Sequence, residues 1–291
     1  MYKAIAANKR NTLLIMALFV GLVAAIGWAF GYMYSDMYIT YWVIGGVLVY
    51  TVVQYYAADK LAMATTGAKE IQKKDNPRLW RIVENLAITE GMPMPRVCII
   101  SDPAPNAFAT GRDPQHALVG ATTGILDVMN DRELSAVFAH EMSHVRNYDI
   151  RVSMIAFGLV AAIGILSDIA FRMMFFSNGN DNNKNPIVML VGFALVLLAP
   201  VIAMMIQFAV SRQREYLADA SAVETTRDPE GMASALEKLL RYGQPMAKQN
   251  TTSAHLFLSN PLKKGTLSRL FSTHPPLEDR IERLRTTLSS L

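Results

Sequence analysis

The chain has 291 residues, 52% of them hydrophobic and 18% charged, with a formal net charge of +4. That length holds one or two domains with a real core, but the apolar, charge-poor composition exceeds what a soluble globule needs and makes a lipid bilayer the expected partner. The small basic excess forms no stripe with interleaved aromatics, so no nucleic-acid partner is expected, and the single cysteine, Cys98, excludes an intrachain disulfide and a cysteine-based zinc site.

Lys9 and Arg10 precede a charge-free stretch, residues 11–35, in which Leu13 to Phe30 is a nearly unbroken apolar run. As a helix it is long enough to cross roughly 30 Å of hydrocarbon. Met37 to Ala58 is a second run, with Ser35 and Asp36 left for the turn, so residues 1–58 are expected to form a transmembrane hairpin. Trp28, Tyr32, Tyr34, Tyr38, Tyr41 and Trp42 cluster about that turn and Tyr55 and Tyr56 mark the other end, as aromatic belts do at membrane interfaces.

Residues 59–151 are water-soluble in character and are expected to be the first part of a catalytic domain. Leu61 to Glu70 and Arg78 to Glu90 have amphipathic helical spacing, with Pro77 opening the second and Gly91-Met92-Pro93 closing it. Val97 to Ile100 and Ala117 to Gly120 are short strand-like runs. Ser101 to Gly111, which holds Pro103, Pro105, Asn106 and Gly111, is expected to be irregular. After Thr122-Thr123-Gly124 a short helix leads into the central motif.

That motif is His140-Glu141-Met142-Ser143-His144, an HExxH stretch in a run whose apolar face is Leu134, Val137, Phe138 and Val145, with Asn130 or Asp131 as N-cap. Four residues apart on a helix, the two imidazoles project from one side and can share a metal ion. Glu141 then sits beside the ion and suits a general base that takes a proton from water activated by the cation.

Residues 152–176 and 187–210 are the third and fourth apolar runs and are expected to form a second transmembrane hairpin, joined by the Asn- and Gly-rich stretch Ser177 to Pro186. Asp168 and Arg172 lie inside the third run, and its alternative is a buried helical hairpin of the soluble domain. Pro200 should kink the fourth. Residues 211–291 are polar again and are expected to complete the catalytic domain, with helices continuing past Ser211, from Met232 to Tyr242 and from Leu277 to Ser290, and a long loop over residues 243–264. Lys3, Lys9, Arg10, Lys60, Lys69, Arg146, Arg151, Arg212 and Arg214 flank one side of the runs while Asp36, Asp181 and Lys184 flank the other, so the basic side, with both termini and the HExxH helix, is expected in the cytoplasm. The fold class is thus a multi-pass membrane protein with four transmembrane helices in two hairpins and a mainly helical α+β domain with a small sheet.

A catalytic zinc takes three protein ligands and leaves a fourth position open. Candidates for the third are His116, His255, His274, Asp149 and the carboxylates after the fourth run. Among these Glu215 stands out, because Glu215 and Asp219 are four apart on one helical face just past an apolar run, as His140 and His144 are just before one. Asp219 could then fix the tautomer of a ligand histidine. The alternative is a surface pair for neighbouring arginines.

His140-Glu141-x-x-His144 with Asp149 five further on, Glu215-x-x-x-Asp219 after an apolar hairpin, Pro105-Asn106-Ala107-Phe108-Ala109-Thr110-Gly111 upstream and Thr273-His274-Pro275-Pro276 near the end together resemble the HtpX family of membrane-integrated zinc metalloproteases, related to the CAAX prenyl proteases. The resemblance covers nearly the whole chain. It implies a gluzincin-like catalytic domain, one Zn2+ per chain bound by His140, His144 and Glu215, Glu141 as base, and membrane-protein quality control under stress. His274 is either an oxyanion donor or a loop-packing residue held between Thr273 and two prolines. Asn106 is an Asx-turn residue by default and a substrate-backbone contact by resemblance. Leu118, Val119 and Gly120 are expected on an exposed strand edge to which a substrate adds as a further strand, the alternative being an ordinary core strand. Two functions follow: an endopeptidase acting on membrane or misfolded proteins, or a membrane adaptor or chaperone with a structural zinc.

Overall fold

In the computed structural model of the chain, which describes residues 2–33, 36–153, 155, 212–247, 256–259 and 275–289, the first two apolar runs are helices α1 (Tyr2–Met33) and α2 (Met37–Thr66). Asp36 caps α2, accepting from the Tyr38 N–H at 2.9 Å. Gly27 and Gly31, four apart on α1, let the helices meet closely: a Cβ at the first would collide with Val43 and at the second with Thr40, whose hydroxyl donates to the Gly27 carbonyl at 3.1 Å. Large apolar side chains such as Leu13, Trp42, Val49 and Val52 remain exposed on this pair. Among the described residues one helix, α1, is long and apolar enough to cross a membrane by length and composition, over Ile5–Ala25. Of the expected third run only Val152, Ser153 and Ile155 are described, as helix; the rest of it and the whole of the fourth lie outside the described residues.

The expected separate helix from Leu61 to Glu70 is instead the end of α2. Asp59 and Lys60 do not interrupt it, and it stops only where Gly67, at φ 73°, takes the left-handed conformation of a C-cap. Lys69–Glu70 then forms β1. Helix α3 (Pro77–Glu90) follows, capped by Asn76 and closed by Gly91. Three strands come next, β2 (Arg96–Ile100), β3 (Ala107–Gly111) and β4 (Ala117–Thr122), and make with β1 a sheet of order β1-β2-β4-β3. β4 runs parallel to β2 and antiparallel to β3.

Two expectations are corrected here. The stretch Ser101 to Gly111 is irregular only to Asn106; Ala107 to Gly111 is strand, and its five residues are all buried, so it has no polar alternation to announce it. Leu118, Val119 and Gly120 lie in β4, an interior strand with a neighbour on each side, and therefore offer no free edge. Gly120 is opposite Phe108, whose ring occupies the place of its missing Cβ; close packing inside the sheet explains this glycine. The edges are β1 and β3, and against β3 Phe257 makes an antiparallel bridge to Phe108 and the Leu258 N–H donates to the Ala107 carbonyl at 2.9 Å.

Helix α4 (Thr123–Val128) leads into α5 (Asp131–Arg146), the HExxH helix. α5 starts at a capping box: the Asn130 side chain accepts from the Glu133 N–H and the Glu133 carboxylate accepts from the Asn130 N–H. The same carboxylate accepts from Lys238 Nζ at 2.7 Å and Ser234 Oγ at 2.6 Å, tying α5 to α7 (Pro229–Tyr242). α6 (Arg212–Thr226) and α8 (Leu277–Ser289) flank the same core. α5 packs against β3 and β4 on one side and α3, α6 and α7 on the others, burying Leu134, Val137, Phe138 and Met142 completely. A helix held on all sides keeps its side chains in one geometry.

Candidate active site

Helical spacing on α5 brings His140 Nε2 to 3.3 Å from His144 Nε2, with the rings nearly perpendicular at 86°. Glu215 reaches them from α6, one carboxylate oxygen 3.7 Å from His140 Nε2 and the other 3.5 Å from His144 Nε2. The three residues form the metal-capable group found among the described residues, their ligand atoms all within 4.8 Å of one another. Ligands about 2.0–2.2 Å from a tetrahedral ion stand roughly 3.4 Å apart, which is close to these spacings. The donor set fits as well, two imidazoles and one carboxylate with a further position left for the substrate side.

The far nitrogen of each ring is tied to a carboxylate, which fixes the tautomer and turns the Nε2 lone pair towards the shared point. His140 Nδ1 is 2.9 Å from Asp219 Oδ1, one turn beyond Glu215 on α6. His144 Nδ1 is 2.9 Å from Asp149 Oδ2, just past the end of α5. Asp219 in turn receives both arms of Arg280, Nη2 to Oδ1 at 2.6 Å and Nε to Oδ2 at 2.9 Å. Arg280 is completely buried, and its Nη1 lies 3.7 Å from Glu215. Glu141, 4% exposed, has its carboxylate near enough to act electrostatically on both His144 and Arg280.

These neighbours drive the two imidazoles apart. Burial pulls His140 down to about 4 against the opposing effect of its hydrogen bond to Asp219. Burial acts on His144 too, but the Asp149 hydrogen bond and the charges of Glu215, Asp149 and Glu141 outweigh it and push the ring up to about 9. Burial also opposes the charge on Asp219, and Arg280 with His140 nevertheless holds it at about 2.

His116, a candidate ligand, stands instead at the surface with Nδ1 2.6 Å from Asp113. His255 and His274 lie outside the described residues. Asn106 is buried, and its carboxamide meets the backbone of Ser259 at two points, donating to the carbonyl at 2.7 Å and accepting from the N–H at 3.0 Å. Sequence reasoning missed Arg280, although a signal was available: Arg280 sits on the same helical face as Leu277, Ile281 and Leu284, where a charge must find a buried partner.

A family model described as Peptidase family M48 matches residues 73–288. Curated relatives called Protease HtpX homolog include one from Tropheryma whipplei (strain Twist), 48% identical over 285 residues that cover 98% of each chain. Another, from Lactobacillus acidophilus, is 48% identical over 296 residues, covering 98% of this chain and 99% of its own. Among solved structures the fold resembles the crystal structure of S. mikatae Ste24p, with a TM-score of 0.53 at 19% identity over 98% of this chain and 67% of that one. The match of the family model across the HExxH helix, α6 and α8, together with relatives nearly half identical along almost the entire length, shows that the chain belongs to peptidase family M48.

Proposed function

We propose that the chain is a zinc endopeptidase of the membrane that cleaves misfolded or damaged membrane proteins at the cytoplasmic face, with two transmembrane hairpins, residues 1–58 and 152–210, flanking the two parts of its catalytic domain, residues 59–151 and 211–291. The single observation that carries the catalytic half of this reading is the geometry of His140, His144 and Glu215 with Glu141 beside them. His140, His144 and Glu215 would hold the zinc ion, which when bound would supply Lewis acidity towards water and the scissile carbonyl. Glu141 takes the proton from the attacking water and passes it to the leaving amide nitrogen. Asp219 and Asp149 hold the ligand rings, and Arg280 balances the carboxylates in a site from which water is largely excluded. His274 is assigned to the oxyanion.

Substrate pairing is assigned to the edge strand β3, which already pairs through main-chain groups with the chain's own Phe257 and beside which Asn106 holds the backbone of Ser259 at two points. Pairing of this kind uses main-chain groups and so tolerates many sequences. The membrane half of the reading rests on the apolar span over Ile5–Ala25 and the exposed apolar faces of α1 and α2.

The adaptor or chaperone reading requires only a structural ion. Zinc-restored protein should digest a denatured or membrane substrate, and Glu141→Gln should retain stoichiometric zinc yet lose almost all hydrolysis. A Glu141→Gln protein as active as the wild type would remove Glu141 as the base, and a wild type that holds zinc without hydrolysing any substrate would favour the adaptor.

A further inference from the structure

Asn8 is a buried amide on the first helix, 5% exposed, and its hydrogen bonds go to a segment some 140 residues away. Its Nδ2 donates to Asp149 Oδ1 at 2.6 Å and to the Asn147 carbonyl at 2.8 Å. Its Oδ1 accepts from Arg214 Nη1 at 3.2 Å, and that same Nη1 donates to Asp149 Oδ1 at 3.1 Å. The two oxygens of Asp149 are therefore divided: Oδ2 holds His144, and Oδ1 is pinned by donors from α1 and α6.

The turn that leads into Asp149, residues 147 and 148, is held at other points by the same end of α1. Tyr148 has φ 61°, a conformation that a bulky residue adopts at a cost, so something must keep it there. Its ring meets two cations, Lys9 Nζ at 4.5 Å from the centroid and the Arg151 guanidinium at 4.7 Å. α1 thus grips residues 147, 148 and 149 in succession. Docking an apolar helix needs no buried amide; one whose donors both go to the turn behind a ligand histidine has a more specific task.

We propose that Asn8 is a positioning residue of the metal site, holding Asp149 in the orientation that aims His144 at the ion, so that the first helix is a structural part of the catalytic centre. The inference rests on the zinc-site reading above. It acts through Asp149, since Asn8 touches Asp149 and Asp149 touches His144.

The test uses the full chain in detergent and reads zinc affinity directly, by competition with a chromophoric chelator, alongside the thermal midpoint of the zinc-free protein. Asn8→Ala should weaken zinc binding by about tenfold, the lower end of what outer-shell losses produce, and should lower kcat more than KM. Asn8→Asp keeps the shape but removes the donor and should weaken binding at least as much, which guards against a fold lost in the alanine variant. Thr12→Val, at a buried hydroxyl that donates to the Asn8 carbonyl at 2.9 Å one turn along α1, should lower the thermal midpoint without moving zinc affinity. In an Asp149→Asn background Asn8→Ala should have little further effect, because the two act in series. Asn8 variants that bind zinc as tightly as the wild type, whatever their stability, or an undiminished Asn8 effect in the Asp149→Asn background, overturn the inference alone. A wild type that binds no zinc overturns the metal-site reading and the inference with it.

Discussion

At the scale of single residues, the site is a balance of buried charges. Asp219 and Glu215 are each nearly inaccessible and both lie against Arg280. Arg280→Met leaves those carboxylates without their cation, a change that costs about 3–5 kcal/mol when one partner of a buried pair is removed. The loss should be larger in zinc-free than in zinc-loaded protein, since the ion restores positive charge; thermal melts with and without zinc measure this, and equal losses would mean that Arg280 serves packing alone. A second expectation follows from His144. Its apo pKa is raised to about 9, so the ring carries a proton below that pH, and zinc takes only the neutral imidazole. Affinity should therefore rise by about tenfold per pH unit up to about pH 9 and level off above it. His140, at about 4, adds no proton in this range. Calorimetry in buffers of different ionisation enthalpy should find a proton released from His144 near pH 7.5, and Asp149→Asn should reduce that release by removing the partner that raises the ring. The spacing of His140, Glu141 and His144 made this pair legible in the sequence, and the i, i+4 pairing of Glu215 and Asp219 made the other half readable once a shared compartment was assumed. Asn8 was not legible, because a polar residue ahead of an apolar run looks like an ordinary solvated flank.

At the scale of elements, what could be read depended on punctuation. α3 carries helical periodicity behind Pro77 and forms where the pattern puts it, whereas α7 begins at Pro229 behind the Asp228 cap, three residues before the expected Met232, because its first turn is set by the cap and the proline rather than by apolar spacing. β3 was hidden by the prolines before it and by burial on both faces, which removes alternation. The place of β4 within the sheet could not be read either, since strand order is decided by long-range pairing and a strand buried on both sides looks alike at the edge and in the middle. The consequence is testable at Gly120. An added methyl there meets the Phe108 ring, so Gly120→Ala should destabilise the fold by about 1–3 kcal/mol, as overpacking does, while zinc content stays stoichiometric in the folded fraction. A variant of unchanged thermal midpoint would mean that Phe108 turns aside at no cost.

At the scale of the whole molecule, basic side chains gather where the hairpin meets the soluble part. Arg96 pairs with Asp59 of α2 at 2.9 Å, the Arg112 guanidinium lies 4.9 Å from the Tyr56 ring centroid, and Arg151 lies 5.8 Å from that of Tyr55. These contacts fasten the end of α2 to the sheet and to the turn after α5, and the same charges are what a positive-inside reading requires of a cytoplasmic face. The opposite end of the hairpin offers Asp36 and exposed aromatics such as Tyr38 and Trp42. Composition pointed to a membrane, but the contact between α1 and the site was not legible in the chain, because the bonds from α1 to the turn after α5 join residues with no shared motif. The orientation can be tested with the chain's own chemistry. Cys98 is completely buried and its thiol is pushed up to about 12 by that burial, so it should not react with a maleimide in the folded protein. Met37→Cys, at the exposed start of α2, should be labelled by a membrane-impermeant maleimide in intact cells, whereas Lys73→Cys, beyond the other end of α2 and on the side of the catalytic helix, should be labelled only after permeabilisation. The reverse pattern would put the metal site on the outer face, and labelling of both in intact cells would show that α1 and α2 do not carry the chain across and back.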